Sequence, residues 1–460
     1  MVSNRPEFIE VMSATRHAPG CRVTPVNWHL TGEEAGYIVA DCEAKAFVAD
    51  ARFAGSAASA ASEAPDATVR LAVGGAIEGF EDYEAVLAPH ADDDIDDPTL
   101  GVSMLYTSGT TGRPKGVYRS RRAAQSQTVL QLAATSGYDA ERHRHLCTGP
   151  LYHAAPLAFS MTAPLSSGVG VVLMDGWDAE EALRLIDRHR ITHTHMVPTM
   201  FHRLLSLPDE VRERYDVSSL RFVIHGAAPC PVPVKKAIID WWGPIVHEYY
   251  AATEGTGALV SSKEWLERPG TVGKPATDDH VRIVRRDGEP CPAGVAGLVY
   301  LAAPAEARFE YFKDDEKTAR VYEGDHYTLG DVGYLDEDGY LYLTDRSTNL
   351  IISGGVNVYP AEVEAVLLTH PAVGDVAVIG VPDDDMGESV LAVVEPHDGE
   401  ESATDLPGEL VAHCRDRLAH YKCPRHVELV DCLPRRDNGK LYKRELRDEY
   451  RTRYGADGDR

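Results

Sequence analysis

The segment YTSGTTGRPKGV, residues 106–117, has the residue types that point most directly to chemistry. It combines glycines and hydroxyl side chains with one lysine, and it has no apolar stripe that could be buried against a core. Such a segment is typical of a loop that holds a phosphate through backbone N–H groups. The Walker A pattern is not met, because Lys115 follows Pro114 and precedes Gly116. Composition alone would favour an ordinary solvated surface loop, so the rest of the chain has to decide.

Four further motifs lie far apart in the sequence. They are YYAATEG (249–255), YTLGDVGYLDEDGYLYLTDR (327–346), IISGGVNVYPAEVE (351–364) and LPRRDNGKLYKREL (433–446). With the first segment, they resemble the acyl-adenylate-forming superfamily of acyl-CoA synthetases, non-ribosomal peptide adenylation domains and luciferases. The resemblance runs over nearly the whole chain, in the family's order and spacing. It implies an enzyme that makes an acyl-AMP from a carboxylic acid and ATP, after which CoA ligases form a thioester.

The reaction brings two anions together, because a carboxylate must attack the α-phosphorus of ATP. Negative charge therefore has to be neutralised at one place. The resemblance implies that Glu254, together with Thr107, binds Mg²⁺, since a hard cation suits carboxylate and phosphate oxygens. It implies that Thr253 hydrogen-bonds to the α-phosphate. It assigns the β- and γ-phosphates to a loop made of Thr107, Ser108, Gly109, Thr110, Thr111, Gly112 and Lys115.

The nucleoside of ATP has its own expected contacts. The resemblance implies that Tyr250 stacks on adenine and that the run Gly226, Ala227 and Ala228 covers the other face. Asp331 would accept hydrogen bonds from both ribose hydroxyls, and Arg346 would help to hold the ribose and its phosphate. Each of these residues alone has an ordinary structural explanation, such as a turn or a core position. No packing rule, however, would place all of these residues together in this order.

The C-terminal motif carries the family's catalytic lysine, Lys440. A single ammonium that reaches both the carboxylate and the α-phosphate positions the pair and offsets the developing charge. The family then rotates its small C-terminal domain about a hinge, here Thr348. The rotation brings Gly354 and Gly355 to the channel for the pantetheine arm of CoA, where absent side chains let the thiol pass.

Three features depart from the family pattern. Thr348 stands where the hinge usually carries Asp or Lys, and we expect altered rates of domain rotation from it. Ala251 and Ala252 occupy a motif in which YGxTE is commoner. The chain also begins later than members of the family normally do, which we expect to affect stability and oligomer contacts more than the catalytic set.

The acid is less clearly indicated than the reaction. Acetate-specific relatives have tryptophan at the position of Ala251, so alanine predicts a larger acid, and His153 and His225 are expected to line the same pocket. A medium- or long-chain fatty acid is the leading prediction, and an aryl acid of the coumarate or benzoate type is the alternative. An adenylating enzyme that passes its acyl group to a carrier protein, or uses the AMP ester directly, also stays open. The non-enzyme alternative is a degenerate nucleotide-binding relative.

Composition limits the partners. The chain has 460 residues and a formal charge of −26, which disfavours nucleic acid and anionic lipid. None of the eight cysteines forms a C-x-x-C pair, and there is neither a signal-peptide layout nor an apolar run of membrane length, so we predict a cytoplasmic chain with reduced thiols and allow for a homodimer. His193 and His195 alternate along a predicted strand, and packing explains them better than metal binding.

The elements that must position these residues follow from hydrophobic periodicity. Between residues 71 and 250, apolar runs (VSMLYTS, GVGVVLM, ITHTHMV, LRFVIHG and IVHEYY) alternate with helical patterns, which predicts an α/β fold with a largely parallel sheet. After residue 281, Asp-Gly turns between apolar runs predict β-hairpins that form a barrel-like subdomain. We expect domains at 1–345 and 346–460, the second a small, mobile α+β lid. The alanine-rich patch at 54–64 is expected to be a surface loop or weak helix.

Overall fold

The structure of the protein is a computed structural model, and it describes residues 1–18, 20–91, 93, 95, 101–107, 113–119, 134–285, 287–354, 356–383, 385–397, 405–435, 439, 441 and 443–455. The predicted α/β class, with a large N-terminal part and a small C-terminal part, is confirmed. Within these residues, none of the helices has both the length and the apolar character needed to cross a bilayer.

The helices of the large part lie between and around its sheets. Several begin at a side-chain cap, as where Thr31 and Glu34 form a reciprocal capping box. Their bounds are α1 (Pro6–His17), α2 (Gly32–Asp41), α3 (Ala54–Glu63), α4 (Tyr83–Leu87), α5 (Ala154–Pro156), α6 (Ala163–Ser166), α7 (Ala179–His189), α8 (Pro198–Leu205), α9 (Asp209–Arg212), α10 (Val232–Trp242), α11 (Ser262–Glu267) and α12 (Asp315–Val321), with a π-helix at Leu157–Thr162.

The described strands of the large part form five sheets. Their bounds are β1 (Arg22–Val23), β2 (Ala46–Asp50), β3 (Val69–Val73), β4 (Glu81–Asp82), β5 (Val102–Ser103), β6 (Leu105–Thr107), β7 (Lys115–Arg119), β8 (Arg144–Cys147), β9 (Gly170–Leu173), β10 (His193–Met196), β11 (Phe222–His225), β12 (Val246–Ala252), β13 (Gly255–Val260), β14 (Val281–Val284), β15 (Gly297–Ala302), β16 (Phe309–Tyr311), β17 (Tyr322–Glu323), β18 (His326–Leu335) and β19 (Leu341–Arg346).

The central sheet has the strand order β13-β12-β11-β10-β8-β9, and all its pairs are parallel except β12 with β13. The chain runs from β8 to β9 on one side and then returns to β10 on the other, so the strand order reverses between β8 and β10. Ligands of such sheets bind at this reversal, beyond the carboxyl ends of the strands. The segments after β8, β10, β11 and β12 therefore meet at one edge, as the predicted parallel sheet requires.

The apolar run before the phosphate-loop segment was predicted to be a strand of the parallel sheet, and that prediction was wrong. β6 pairs antiparallel with β7, and β7 pairs with β16, in a separate three-stranded sheet. The physical reason is the length of the connection. Only residues 108–114 separate β6 from β7, whereas a parallel crossover needs a dozen residues or more.

The alanine-rich patch is a helix, one of its two predicted forms, but one face of this helix is buried where a surface position was expected. Ala57, Ala60 and Ala61 of α3 are buried against α2. The contact is close because α2 has glycine on the facing side: a Cβ on Gly36 would lie 2.7 Å from the Cβ of Glu63. Small side chains on both helices thus allow an approach that composition alone does not reveal.

The hairpins predicted after residue 281 are present. β14, β15, β18, β17 and β19 form an antiparallel sheet, with the turn Asp338–Gly339 between β18 and β19. The small part contains the predicted α+β elements; its strand His426–Leu429 is parallel to Gly387–Pro396, and the other pairs are antiparallel. Their bounds are β20 (Ile351–Ser353), β21 (Val356–Val358), α13 (Pro360–Leu367), β22 (Val373–Asp383), β23 (Gly387–Pro396), α14 (Leu406–Arg415), β24 (His426–Leu429) and α15 (Lys443–Gly455).

Candidate active site

Asp331 is the centre of the first group of predicted site residues that the structure brings together. The Tyr250 hydroxyl donates to Asp331 Oδ2 at 2.7 Å, and Arg346 Nε donates to Oδ1 at 2.9 Å. Asp331 and Arg346 face each other across the β18–β19 hairpin. Burial and the Asp331 carboxylate hold the pKa of Tyr250 well above its ordinary value, and the same carboxylate raises the pKa of Arg346. Each carboxylate oxygen keeps lone-pair capacity for a further donor, such as a ribose hydroxyl.

We predict that Asp331→Asn raises the KM for ATP by about 10- to 100-fold, with a smaller effect on kcat, because an amide offers one acceptor oxygen and turns its NH₂ group toward a donor. Steady-state kinetics at saturating acid and CoA measure this. Asp325→Asn, at a carboxylate that is 68% exposed, is the matched control. An unchanged KM for ATP in Asp331→Asn would contradict the role given to this carboxylate.

Glu254 lies in the turn between β12 and β13, and its carboxylate is buried. The Tyr311 hydroxyl donates to Glu254 Oε1 at 3.0 Å. Burial and the neighbouring Glu254 raise the pKa of Tyr311. Arg119 Nη2 donates to two backbone oxygens of the same turn, those of Thr253 at 2.9 Å and Glu254 at 2.5 Å. Neither Arg119 nor Tyr311 was predicted from the sequence, because neither belongs to one of the motifs and each acts through a contact with a distant turn.

The carboxylate of Glu254 fits the predicted magnesium ion. The described residues contain no group of three His, Cys, Asp or Glu side chains that could hold a metal ion by themselves. Mg²⁺ needs no such group, because it usually keeps several waters and binds one or two carboxylates together with substrate phosphates. Glu254 supplies an anionic oxygen with one hydrogen-bond donor on Oε1, which leaves acceptor capacity for the ion.

The two ends of the predicted phosphate loop lie side by side. Thr107 ends β6 directly opposite Lys115, which begins β7. Lys115 Nζ lies 3.2 Å from Asp314 Oδ2, and this carboxylate raises the pKa of Lys115, so the side chain carries a positive charge at the loop. The loop residues themselves lie outside the described residues: Ser108, Gly109, Thr110, Thr111 and Gly112.

The run after β11 has the compact backbone expected beside a flat ring. A Cβ on Gly226 would lie 2.6 Å from the carbonyl oxygen of Tyr249, so glycine is required there. Ala227 has φ of +70°, in the left-handed region that residues with a side chain seldom adopt. Strain of this kind concentrates at functional sites. Ala228 follows directly, and the three residues stand beside the C-terminal end of β12, which carries Tyr250.

Aromatic side chains surround Ala251 on the face of the sheet opposite to Tyr250. The Phe159 ring stacks on Tyr249 with ring centres 4.6 Å apart, and on His195 at 5.2 Å. Phe159 belongs to the π-helix, a feature frequent at functional sites. We call the following residues the ring cluster: Ala155, Phe159, Phe222, Ile224, Tyr249 and Ala251. Apart from Ala251, none of them was predicted from the sequence, because they come from three separate segments.

His225, which the resemblance assigns to the same pocket, lies on the other face of β11. Residues 222 and 224 belong to the ring cluster, and side chains alternate along a strand, so His225 points away from it. It is completely buried, with Nε2 3.6 Å from Glu248 Oε2, and Glu248 pairs with Lys235 at 2.6 Å. Burial and the Lys235 charge hold the pKa of His225 well below its ordinary value. His225 therefore does not border the ring cluster.

His153 and the two alternating strand histidines are placed differently from one another. His153 follows β8 and precedes α5, with its ring centre 4.4 Å from that of Tyr152. His193 and His195 are buried in β10, where they hydrogen-bond to the Ser136 carbonyl and the Tyr249 hydroxyl. Burial lowers the pKa of His195 to about 3. These two histidines are packed, as the sequence analysis expected.

The predicted hinge is tied to the small part by hydrogen bonds. The carbonyl oxygen of Thr348 accepts from Arg447 of α15, and Asp345 Oδ2 accepts from the Ala361 backbone at the start of α13 at 3.1 Å. Gly354 has φ of +56° in the β20–β21 turn, and a Cβ there would lie 2.4 Å from Met386. Gly355 and Lys440 lie outside the described residues.

The residue before Lys440 in the sequence contacts the large part. A Cβ on Gly439 would lie 2.5 Å from the Thr199 hydroxyl, just after β10. A cavity of about 320 Å³ opens here, at the reversal of strand order, and its lining includes Thr148, Pro150, Thr199 and Arg435. The small part therefore lies over the edge of the central sheet where ligands are expected.

Two family profiles match consecutive parts of this chain. The profile of AMP-binding enzymes matches residues 1–308, and that of the AMP-binding enzyme C-terminal domain matches residues 362–440. An indoleacetate–CoA ligase of Aromatoleum aromaticum is 32% identical over 452 residues, covering 96% of this chain and 86% of the relative. A feruloyl-CoA synthase of an Amycolatopsis species is 34% identical over 450 residues, covering 96% and 87%.

Among solved structures, an amide bond synthetase of Marinactinospora thermotolerans superposes with a TM-score of 0.83 at 31% identity. The match covers 98% of this chain and 89% of that structure.

Proposed function

The chain belongs to the family of AMP-binding enzymes, and on this premise we propose that it joins an aromatic carboxylic acid to coenzyme A through an aryl-adenylate. The enzyme class is that of an AMP-forming acid–thiol ligase that uses ATP and CoA. The aromatic substrate and the roles of individual residues are the proposed part.

In the first half-reaction, a carboxylate oxygen of the acid attacks the α-phosphorus of ATP, and the bond to the bridging oxygen breaks so that pyrophosphate leaves. We assign the ribose to Asp331, held by Tyr250 and Arg346, and the leaving phosphates to the Thr107–Lys115 loop. When bound at Glu254, Mg²⁺ would neutralise phosphate charge. Lys440 would contact the carboxylate and the α-phosphate together.

In the second half-reaction, the thiol of CoA attacks the carbonyl carbon of the acyl-adenylate, and AMP leaves. Lys440 has no role in this step, so it can be withdrawn when the small part rotates. We propose Thr348 as the pivot and the domain boundary at residues 345 and 346. The turn with Gly354 and Gly355 would then approach the thiol path, where glycine leaves the necessary room.

The ring cluster is the observation that carries the aromatic proposal. Phe159 and Tyr249 stack on each other beside the small side chain of Ala251, so an acyl group that reaches Ala251 borders aromatic rings. Contact with aromatic rings gives an aromatic acid more stabilisation than a flexible chain of equal size. The fatty acid expected first from the sequence has weaker support, because the two relatives compared above are named for indoleacetate and feruloyl groups. His153 is proposed at the mouth of this pocket, between the acyl group and the phosphates.

The proposal is tested with pairs of acids that have equal carbon numbers, one aromatic and one aliphatic. The measurement is kcat/KM from acid-dependent AMP release at saturating ATP and CoA. Stacking against two rings predicts a preference for the aromatic member of about 10- to 100-fold, since each aromatic pair contributes roughly 0.5–1.5 kcal/mol. Equal values of kcat/KM, or a preference for the aliphatic member in every pair, would overturn the aromatic assignment and favour a fatty acid as the substrate.

A further inference from the structure

Arg119 is used in a way that ordinary packing does not explain. Its guanidinium lies inside the large part, and in the described part of the chain it forms no salt bridge. Its two hydrogen bonds go instead to the backbone oxygens of Thr253 and Glu254, in the turn between β12 and β13. Burial lowers the pKa of Arg119, although the nearby Glu254 carboxylate favours the charged form. A buried charge carries a desolvation cost, so a neutral donor would be expected if these oxygens only needed partners.

The small sheet β16-β7-β6 aims Arg119 at this turn. Residues opposite each other in an antiparallel pair share a face, and so do residues two apart on one strand. Lys115 and Arg119 on β7 therefore lie on the same face as Thr107 on β6 and Tyr311 on β16. The same face thus carries both ends of the phosphate loop and both groups that hold Glu254. Lys115 and Arg119 stand about 13 Å apart along the strand.

The turn is held from several directions. Arg119 fixes the backbone at Thr253 and Glu254, and Tyr311 fixes the Glu254 carboxylate. Gly255 lies against Tyr327, whose hydroxyl would be 2.3 Å from a Cβ at that position. These three hydrogen bonds all end on Glu254 or on the adjacent Thr253, and they leave little freedom for Glu254 to move relative to the phosphate-loop strand.

We propose that Arg119 is a positioning residue for adenylation: it locks the Thr253–Glu254 turn to the phosphate-loop strand, so that the groups proposed to hold the phosphates of ATP keep a fixed spacing. This inference rests on the proposed nucleotide site, and it does not depend on which acid is the substrate. Arg119 itself touches neither reacting atom; it acts through Glu254 and Thr253.

The test compares Arg119→Met, Arg119→Lys and Arg22→Met in the full chain. Arg119→Met keeps the apolar stem and removes both donors, whereas lysine keeps a charge and a donor. Arg22→Met is the matched control, because the Arg22 guanidinium lies over the Tyr118 ring, 4.2 Å from its centre, on the opposite face of β7. Circular dichroism and thermal melting of each variant establish that it is folded.

Binding of MgATP and of adenosine is measured by displacement of a fluorescent nucleotide. Arg119→Met is expected to raise the Kd of MgATP by about 10- to 100-fold and to leave that of adenosine unchanged, with the lysine variant between it and the unmodified protein. Arg22→Met should change neither. A role limited to stability predicts equal changes for both ligands, and that result, like an unchanged Kd for MgATP, would overturn the proposal.

The two half-reactions give a second readout that keeps the proposal separate from the substrate assignment. ATP–pyrophosphate exchange by Arg119→Met should fall by about 10- to 100-fold, while thiolysis of a supplied acyl-adenylate stays within about twofold of the unmodified enzyme. Loss of both half-reactions to the same extent would contradict a positioning role. If the unmodified enzyme exchanged pyrophosphate only with aliphatic acids, the aromatic proposal would fail and the Arg119 comparison would be made with those acids.

Discussion

Replacement of Lys440 by alanine is expected to lower the rate of adenylation by about 10²- to 10³-fold, the usual effect of removing one preorganised donor from a transition state. Thiolysis of a supplied acyl-adenylate should stay near the rate of the unmodified enzyme. The reason is that Lys440 is proposed to contact the carboxylate and the α-phosphate, and after pyrophosphate has left there is no second anion to bring closer.

Single-turnover experiments separate the two rates, with rapid-quench detection of acyl-AMP for the first and of CoA thioester for the second. Lys443→Ala is the matched control, because Lys443 lies three positions further along and its Nζ pairs with Glu364 at 2.6 Å inside the small part. That variant should show no selective loss of adenylation. Equal losses of both half-reactions in Lys440→Ala would show that this lysine does not serve one step alone.

The second large effect is expected at Ala251. Its side chain lies within the ring cluster, so Ala251→Trp would fill the space beside Phe159 and Tyr249. We expect kcat/KM for aromatic acids to fall by at least about 100-fold, while acetate and propionate become the better substrates. A lost methylene contact is worth only roughly 1–3 kcal/mol, but a steric clash can exclude a ring entirely.

A panel of acids from acetate to multi-ring aromatic acids measures this change in preference. Ala251→Gly serves as the control, because it enlarges the space and should leave the aromatic preference in place. The KM for ATP should stay unchanged in both variants, since Tyr250 on the opposite face holds the nucleotide side. If Ala251→Trp kept the acid preference of the unmodified enzyme, Ala251 would not border the acyl group.

Much of the fold could be predicted because it depends on local patterns. Apolar runs followed by amphipathic helices indicated β9 to β12 with α7 and α10, and Asp-Gly turns indicated the hairpins of β14 to β19. The two errors concern contacts between distant segments. Nothing in the composition of α3 shows that glycines of α2 face it, and the run that contains β6 has the same apolar pattern as strands of the central sheet.

The site was predicted in parts for the same reason. Asp331, Tyr250 and Arg346 belong to recognisable motifs, and the structure brings them within hydrogen-bond distance. Arg119 and Phe159 belong to none, because their importance comes from what they contact, which are the backbone of a turn and a ring on another strand. For His225, the family resemblance indicated the right segment, but the alternation of side chains along β11 places His225 on the other face.

The proposed function is tested most directly by ATP–pyrophosphate exchange over a panel of aromatic and aliphatic acids, repeated with CoA present and the acyl product identified by mass. An aryl-CoA ligase is expected to show exchange that requires an aromatic acid and needs no CoA, and then, once CoA is added, to form one CoA thioester and one AMP for each acid consumed. A lack of exchange with every aromatic acid would contradict this function. So would an acyl-adenylate that CoA leaves untouched while an amine converts it to an amide.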